Sequence, residues 1–92
     1  MYKRKLEKER KKIDLLDKKL LNLIIKRTKI VHKIIKIKKS KKQIIDKKRI
    51  RKVLRNIKVK SINKGIDSTI TKKIWTAMIK AYIEYERKNF NK

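Results

Sequence analysis

The first forty residues carry apolar side chains at the spacing of one helix face. Successive members are separated by alternating steps of three and four residues, the repeat of an amphipathic α-helix. The positions of this face are Ile13, Leu16, Leu20, Leu23, Arg27, Ile30, Ile34 and Ile37, of which Arg27 is the one that is not apolar. The pattern predicts a first helix from about Tyr2 to Lys38. At ~1.5 Å per residue it is ~50 Å long, which is too long for two shorter helices to cover and predicts a partner chain.

Two shorter helices are predicted in the second half of the chain. One runs from about Asp46 to Lys58, with Asp46 as its N-cap. The other follows a cap at Asp67 or Ser68 and extends to about Asn89. The apolar face of the second helix comprises Ile50, Val53, Leu54 and Ile57. That of the third comprises Ile70, Ile74, Ala77, Met78, Ala81 and Tyr85.

The connections and the composition complete an all-α prediction. Lys39 to Ile45 and Lys60 to Ile66 are expected to be loops, and Gly65 is the natural turning point of the second. The chain has no Pro, one Gly and no sustained alternation of polar and apolar residues. We therefore expect residues 1–92 to form a single helical domain of three helices. Its core is small, which favours oligomerisation.

Several functional classes are disfavoured by what the sequence lacks. Without Cys there is no disulfide framework and no thiolate zinc site. Metal binding is disfavoured because the lone His32 has no second ligand at a suitable spacing. Nucleophilic hydrolysis is disfavoured because the serines have no nearby base. A glycine-rich phosphate loop is disfavoured because the chain has a single Gly. The charged N-terminus does not resemble a signal peptide, and no apolar run approaches the ~20 residues of a membrane span. The expected location is the cytoplasm.

The net charge of +25 raises a nucleic-acid-binding alternative. However, 26 Lys and 17 Ile together make up 43 of the 92 residues, and both have A/T-rich codons, so genomic drift explains the pattern without a ligand. The lysines are also spread evenly instead of forming one stripe. Arginine is therefore the more informative cation, and specific nucleic-acid binding is not expected.

Arg27 is informative because it interrupts the apolar face of the first helix. A guanidinium remains protonated, so burying it requires an anionic partner. Lys38 lies eleven residues on, which returns to the same face at roughly 100° per residue. With few acids available, a bound anionic ligand is the economical explanation. The alternatives are a salt bridge from Arg27 to Asp46 or Glu86 and a solvated Lys38.

Other polar residues could join such a site. Trp75, Ile79, Tyr82 and Glu86 follow one flank of the third helix and place Glu86 at the end of an apolar strip, although a surface carboxylate paired with a lysine is the alternative. Arg10 lies ~25 Å along the helix from Arg27 and about 100° around it. It cannot serve the pocket of Arg27 in its own chain, but it could serve that of an antiparallel partner.

The residues from Glu9 to Lys38 resemble the first helix of the all-helical, type II chorismate mutases. That helix has an Arg, then I-D-x-x-D-x-x-L-L-x-L-x-x-x-R, then a Lys eleven residues later. The matching residues are Arg10, Ile13, Asp14, Asp17, Leu20, Leu21, Leu23, Arg27 and Lys38. The similarity continues through Asp46, Arg49, Val53, Leu54, Gly65, Ile66, Asp67, Ile74, Trp75, Ile79 and Glu86.

The resemblance implies an intertwined homodimer of three-helix chains in which Arg10 reaches the partner's site. It implies conversion of chorismate to prephenate in aromatic amino-acid biosynthesis, without metal or cofactor. Arg10 and Arg27 would clamp the two carboxylates of the dianionic substrate. Lys38 and Glu86 would hydrogen-bond its ether oxygen. Arg49 would add positive charge near a carboxylate, and Asp46 would lie near the ring hydroxyl.

Two positions depart from the usual mutase pattern. Ile50 stands where many members carry Glu, and Tyr82 stands where a small polar residue is common. In both respects the chain resembles the isochorismate pyruvate-lyases, which carry such residues at these positions. They are relatives that release pyruvate to give salicylate. The mutase is preferred because Asp46 can still serve the hydroxyl and because the lyase is a specialised pathway enzyme. A nucleic-acid binder and a coiled-coil adaptor are the alternatives from other classes.

Overall fold

The computed structural model describes residues 1–91 and contains three α-helices. Helix α1 spans Tyr2–Ile37, α2 spans Lys47–Asn63 and α3 spans Ser68–Asn89, and a short 3₁₀ turn lies at Lys41–Gln43. No strand occurs in residues 1–91. The prediction of an all-α chain with a long first helix is therefore confirmed. No helix in the described part of the chain is both long and apolar enough to cross a bilayer.

The chain divides into two compact units, of which the first covers residues 1–33 and the second begins at Ile34. The first unit consists of most of α1 and leaves its aliphatic side chains exposed. Leu16, Leu20 and Leu23 keep 63%, 53% and 61% of their surface exposed, whereas Val31 is buried. The face predicted from the sequence is thus open in the isolated chain.

The starts of α2 and α3 lie where the sequence placed them. Asp46 caps α2 by accepting a hydrogen bond from the backbone N–H of Arg49 at 3.0 Å. Asp67 caps α3 by accepting from the backbone N–H and the hydroxyl of Thr69, at 2.9 and 2.7 Å. Such caps satisfy N–H groups that have no partner within the helix. Gly65 turns the chain between these helices with a φ of 75°, a conformation that suits glycine.

The predicted end of α2 at Lys58 is wrong, because the helix continues to Asn63. The loop predicted from Lys60 to Ile66 is accordingly much shorter. The extra turn is held by Ser61, whose hydroxyl donates to the carbonyl of Ile57 at 2.6 Å and lies 2.7 Å from the hydroxyl of Thr71 in α3. Both hydroxyls are buried. No helix breaker occurs before Gly65, so the contact with α3 extends the helix beyond its aliphatic stripe.

The second unit is built on the packing of α2 against α3. The predicted α2 face is directed inward, and Ile50, Val53, Leu54 and Ile57 are all half-buried. The predicted α3 face is only partly right, because Met78 and Tyr85 are half-buried but Ile70, Ile74, Ala77 and Ala81 are exposed. The strip from Trp75 to Glu86 that the sequence indicated is buried or half-buried, and Thr71 extends it.

The Asp67 cap gives stability a defined dependence on pH. The hydrogen bonds from Thr69 lower the pKa of Asp67 below its ordinary value of 3.8. A lowered pKa in the folded state means that the contribution is present at neutral pH and is lost as the pH falls through that lowered pKa. Asp67→Ala should therefore lower Tm at pH 7, and the difference from wild type should shrink as the pH falls below 3.8. Thermal unfolding followed by circular dichroism measures both effects.

Asp67→Asn is the matched control, because an amide oxygen still caps the helix but does not titrate. Its Tm at pH 7 should lie near that of wild type. A Tm loss in Asp67→Ala that stays constant from pH 7 to pH 2 would contradict an ionised cap.

Candidate active site

An ion pair between Lys38 and Glu86 forms the centre of the candidate site. The Nζ atom of Lys38 lies 2.7 Å from Oε1 of Glu86, although 48 residues separate them in sequence. The two side chains keep only 20% and 11% of their surface exposed. A short, charge-assisted hydrogen bond in this setting is stronger than one between neutral groups. The structure thus unites two residues that were selected independently from the sequence.

The local fold explains why both side chains lie inside. Lys38 follows the last residue of α1, and its N–H still donates to the carbonyl of Ile34 at 3.0 Å, which extends the helical hydrogen bonding by one residue. Glu86 lies in the last turn of α3. Nearby along the chain, Ile35 and Phe90 are 4% and 7% exposed. The low exposure of the two charged side chains themselves shows that the pair is partly desolvated.

The ion pair corrects one expectation from the sequence, which concerned the partner of Lys38. The sequence suggested that Lys38 lacks an acidic neighbour, so that a ligand would have to meet its charge. Glu86 meets that charge within the chain, and it is buried, not the surface carboxylate considered as an alternative. An ammonium group has three N–H donors. Glu86 accepts one of them.

Lys38 also lines an open cavity of about 560 Å³ together with Asp46. The remaining lining residues are Lys42, Gln43, Ile45 and Lys47. Three ammonium groups against one carboxylate give this cavity a positive potential, which favours an anionic occupant. Asp46 already accepts the hydrogen bond of Arg49 through Oδ1, so its Oδ2 remains available to a hydroxyl in the cavity.

Gln43 is a residue of this cavity that the sequence analysis missed. Its Oε1 atom accepts hydrogen bonds from the backbone N–H groups of Lys39 and Ser40 and so fixes the turn between Lys38 and Asp46. A Ser followed three residues later by Gln is the sequence signature of a capping box. The Ser–Gln spacing could therefore have identified this turn. The surrounding lysines made the segment look like an ordinary polar loop.

The remaining candidates in the second unit lie on α2 and α3. Arg49 is exposed in the first turn of α2, and Ile50 beside it is half-buried. Tyr82 is half-buried on α3, one turn before Glu86, and its ring meets that of Tyr85 edge to face at 6.4 Å. The structure does not pair Arg49 with Glu86 or with Lys38.

Arg10 and Arg27 belong to the first unit. Arg10 is exposed and its Nη1 lies 2.9 Å from Oε1 of Glu7, one turn earlier on the same helix. An exposed pair of this kind contributes little and leaves the guanidinium able to exchange partners. Arg27 is half-buried, unlike most of the aliphatic residues that precede it on α1.

Within residues 1–91, no three His, Asp or Glu side chains lie together so as to hold a metal ion.

The ion pair predicts that truncating the two glutamates of α3 lowers the stability of the fold by unequal amounts. Glu86→Ala should destabilise the fold by about 1–3 kcal/mol, because it removes a charge-assisted hydrogen bond to a partly buried ammonium. Glu84→Ala is the matched control: Glu84 is exposed on the same helix, and its loss should change stability by less than about 0.5 kcal/mol. Urea denaturation of both variants measures the difference, and equal costs would remove the structural role assigned to the pair.

The comparisons with known proteins identify the family of the chain. The chain matches the family model described as chorismate mutase type II over residues 9–87. No curated protein and no solved structure matches it. The matched segment contains Arg10, Arg27, Lys38, Asp46 and Glu86. Because that segment covers most of the sequence, the chain belongs to the type II chorismate mutase family.

Proposed function

We propose that the protein is a chorismate mutase that rearranges chorismate to prephenate and so serves aromatic amino-acid biosynthesis, with residues 1–92 acting as one domain. Family membership supports chorismate mutase-type activity. The observation that carries the assignment to this site is the contact of Lys38 with Glu86 at the wall of a positively charged cavity. The rearrangement is unimolecular and pericyclic: the ether C–O bond breaks as a C–C bond forms. It requires no nucleophile, metal or cofactor.

The work left to the protein is conformational and electrostatic. Chorismate is a flexible dianion that must be held in a chair-like reactive conformer. In our proposal Arg10 and Arg27 bind its two carboxylates in bidentate fashion, which fixes position and orientation together. Arg49, exposed at the start of α2, adds positive charge near one carboxylate, and Asp46 accepts a hydrogen bond from the ring hydroxyl.

Lys38 stabilises the charge that develops during the reaction. As the C–O bond breaks, partial negative charge grows on the ether oxygen, and a fixed ammonium nearby lowers the barrier. Glu86 accepts one N–H of Lys38, which orients the remaining donors of the ammonium group.

The proposed assembly is an intertwined homodimer in which Arg10 enters the partner's site. Supporting this, the aliphatic face of α1 is more than half exposed from Ile13 to Leu23. Contiguous exposed apolar surface of this extent is typical of an interface. A second copy of α1 offers a surface of the same chemistry and length. Arg10 is exposed in the isolated chain, as a residue that acts in another subunit should be.

A second candidate reaction is favoured by Ile50 and Tyr82. Both are half-buried in the second unit, at positions where the family resemblance sets the isochorismate pyruvate-lyases apart from the mutases. In that reaction the C–O bond of isochorismate breaks, pyruvate leaves and salicylate remains. We place it second because Asp46 is present for the hydroxyl of chorismate.

One assay tests the proposal and its alternative. The purified full-length protein is offered chorismate and isochorismate separately, without added metal, and prephenate, pyruvate and salicylate are separated and quantified. We expect prephenate from chorismate. Arg27→Ala should lower kcat/KM by about 100- to 1000-fold while leaving the helix content unchanged, because a charged contact to the substrate is lost.

Lys29→Ala is the control for the loss of one positive charge from α1, because Lys29 is an exposed neighbour of Arg27 with no proposed role. It should retain nearly full activity. Salicylate formation without prephenate would replace the mutase assignment with the lyase. No turnover of either substrate by the folded protein would reject both.

Sharing of Arg10 between subunits makes a separate prediction. Arg10→Ala and Arg27→Ala should each be nearly inactive, but unfolding and refolding them together should restore about a quarter of wild-type activity. The reason is that a mixed dimer contains one site with both arginines and one site with neither, and about half of the dimers are mixed. Recovery is measured as prephenate formed per chain. If the mixture stays as inactive as its components, Arg10 does not act across an interface.

A further inference from the structure

The outward face of α2 carries a stripe of cations that the proposed reaction does not use. Six exposed side chains lie within an arc of about 140° around the helix axis at 100° per residue. The members of this stripe are Lys47, Lys48, Arg51, Lys52, Arg55 and Lys58. They lie opposite the half-buried aliphatic face that packs on α3. The even distribution of charge inferred from the sequence therefore does not hold on this helix.

No carboxylate balances this stripe. The sequence has no Asp or Glu between Asp46 and Asp67, and none of the six cations forms an ion pair within residues 1–91. The charge extends to α3 through Lys72, which lines one cavity of about 500 Å³ together with Arg55 and Lys58. The lining of that cavity also contains no acidic side chain.

The stripe of cations lowers the stability of α2. Like charges four residues apart, such as Arg51 and Arg55, destabilise a helix, and cations in the first turn oppose its macrodipole. Compositional drift explains an excess of lysine, but it does not explain arginine in the same place. Two of the six cations of the stripe are Arg, against five of the 27 elsewhere. A bound polyanion would relieve this repulsion.

The chemistry of the stripe indicates which polyanion it fits. Single-stranded nucleic acid is bound with aromatic stacking platforms, and the stripe contains no aromatic residue. Protein interfaces are depleted in lysine at their centres. Insertion into lipid requires an apolar face, and only Val59 and Ile62 are exposed at one end of the stripe. Sequence-independent contact with duplex phosphates requires only Lys and Arg in a row.

We propose that the outward face of α2, continued by Lys72 of α3, is a docking surface for the phosphate backbone of a nucleic-acid duplex. From Lys47 to Lys58 the stripe is ~16 Å long at ~1.5 Å per residue. Duplex DNA presents one phosphate charge per ~1.7 Å of axis, so every cation of the stripe has phosphates within reach. Binding is sequence-independent and sensitive to salt.

The test uses the full-length protein and a mixed-sequence 20-base-pair DNA duplex, with affinity measured from 50 to 300 mM salt. The triple variant Arg51→Gln, Arg55→Gln, Lys58→Gln should bind about tenfold or more weakly at 100 mM salt. Its log–log salt slope should be smaller by about 2–3, since each lost phosphate contact removes ~0.9. In the absence of DNA, its Tm should be higher than that of wild type because repulsion along α2 is removed.

The matched control removes the same charge from the exposed start of α1, with Lys3→Gln, Arg4→Gln and Lys5→Gln. It should change the slope by less than 1 and retain most of the affinity. Arg51→Lys with Arg55→Lys should keep the slope, because the charge remains. Equal losses in the two triple variants would overturn the proposal, since net charge alone would then account for binding.

Two comparison probes decide between the duplex and other anionic partners. The single strand of the same length should bind more weakly than the duplex, and vesicles of phosphatidylserine should not compete with the duplex at equal charge. Tighter binding of the single strand or of the vesicles, lost in the α2 triple variant, would assign the stripe to that other partner and overturn the proposal.

Discussion

The ion pair between Lys38 and Glu86 is the contact on which the second unit and the candidate site both depend. The chain holds eight carboxylates against 33 Lys and Arg, and Glu86 is the acidic residue that is buried among residues 1–91. Breaking this charge-assisted hydrogen bond should destabilise the fold by about 1–3 kcal/mol. The pair therefore joins the segment after α1 to the last turn of α3. It also leaves an oriented ammonium at the edge of a cationic cavity.

The second constraint is the small amount of apolar surface that the chain buries alone. Its buried hydrophobic residues in the described part are Val31, Ile35, Ile44 and Phe90, while the face that α2 turns to α3 is only half-buried. A domain of this size has a high ratio of surface to volume and little core to offset conformational entropy. The long aliphatic face of α1 is the largest reserve of apolar surface. In the proposed dimer, association through this face supplies a core and brings Arg10 to the partner's site.

Helix type, number and starting points could be predicted from the sequence because local signals determine them. Asp46 and Asp67 cap their helices as their residue types suggest, and Gly65 turns the chain. The end of α2 could not be predicted in this way, since Ser61 extends the helix through a contact with Thr71 on α3. The inner face of α3 was predicted only in part: the strip from Trp75 to Glu86 lies inside, but Ile70 and Ile74 are exposed. That face is completed by polar groups whose partners lie far away in sequence.

The candidate site residues were selected by the same local logic, and one expectation about them was wrong. Arg27 and Lys38 stood out as cations on an apolar face, and Glu86 as a carboxylate ending an apolar strip. The sequence alone could not show that Lys38 and Glu86 satisfy each other, because a contact across 48 residues depends on the packing of α3. Gln43 was missed because its role is to accept backbone hydrogen bonds in a turn, which leaves no trace in hydrophobic spacing.

The few acidic residues carry more structural information in this chain than the many basic ones. Asp46 and Asp67 cap helices, Glu86 holds Lys38, and Glu7 and Glu9 pair with cations one turn further along α1. Most acids thus lie where a specific N–H or ammonium group requires an acceptor. Along the outer face of α2, where the sequence has cations and no acid, none of the six cations of the stripe forms an ion pair within residues 1–91. The positions without carboxylates are therefore the ones where an external anion has the most to stabilise.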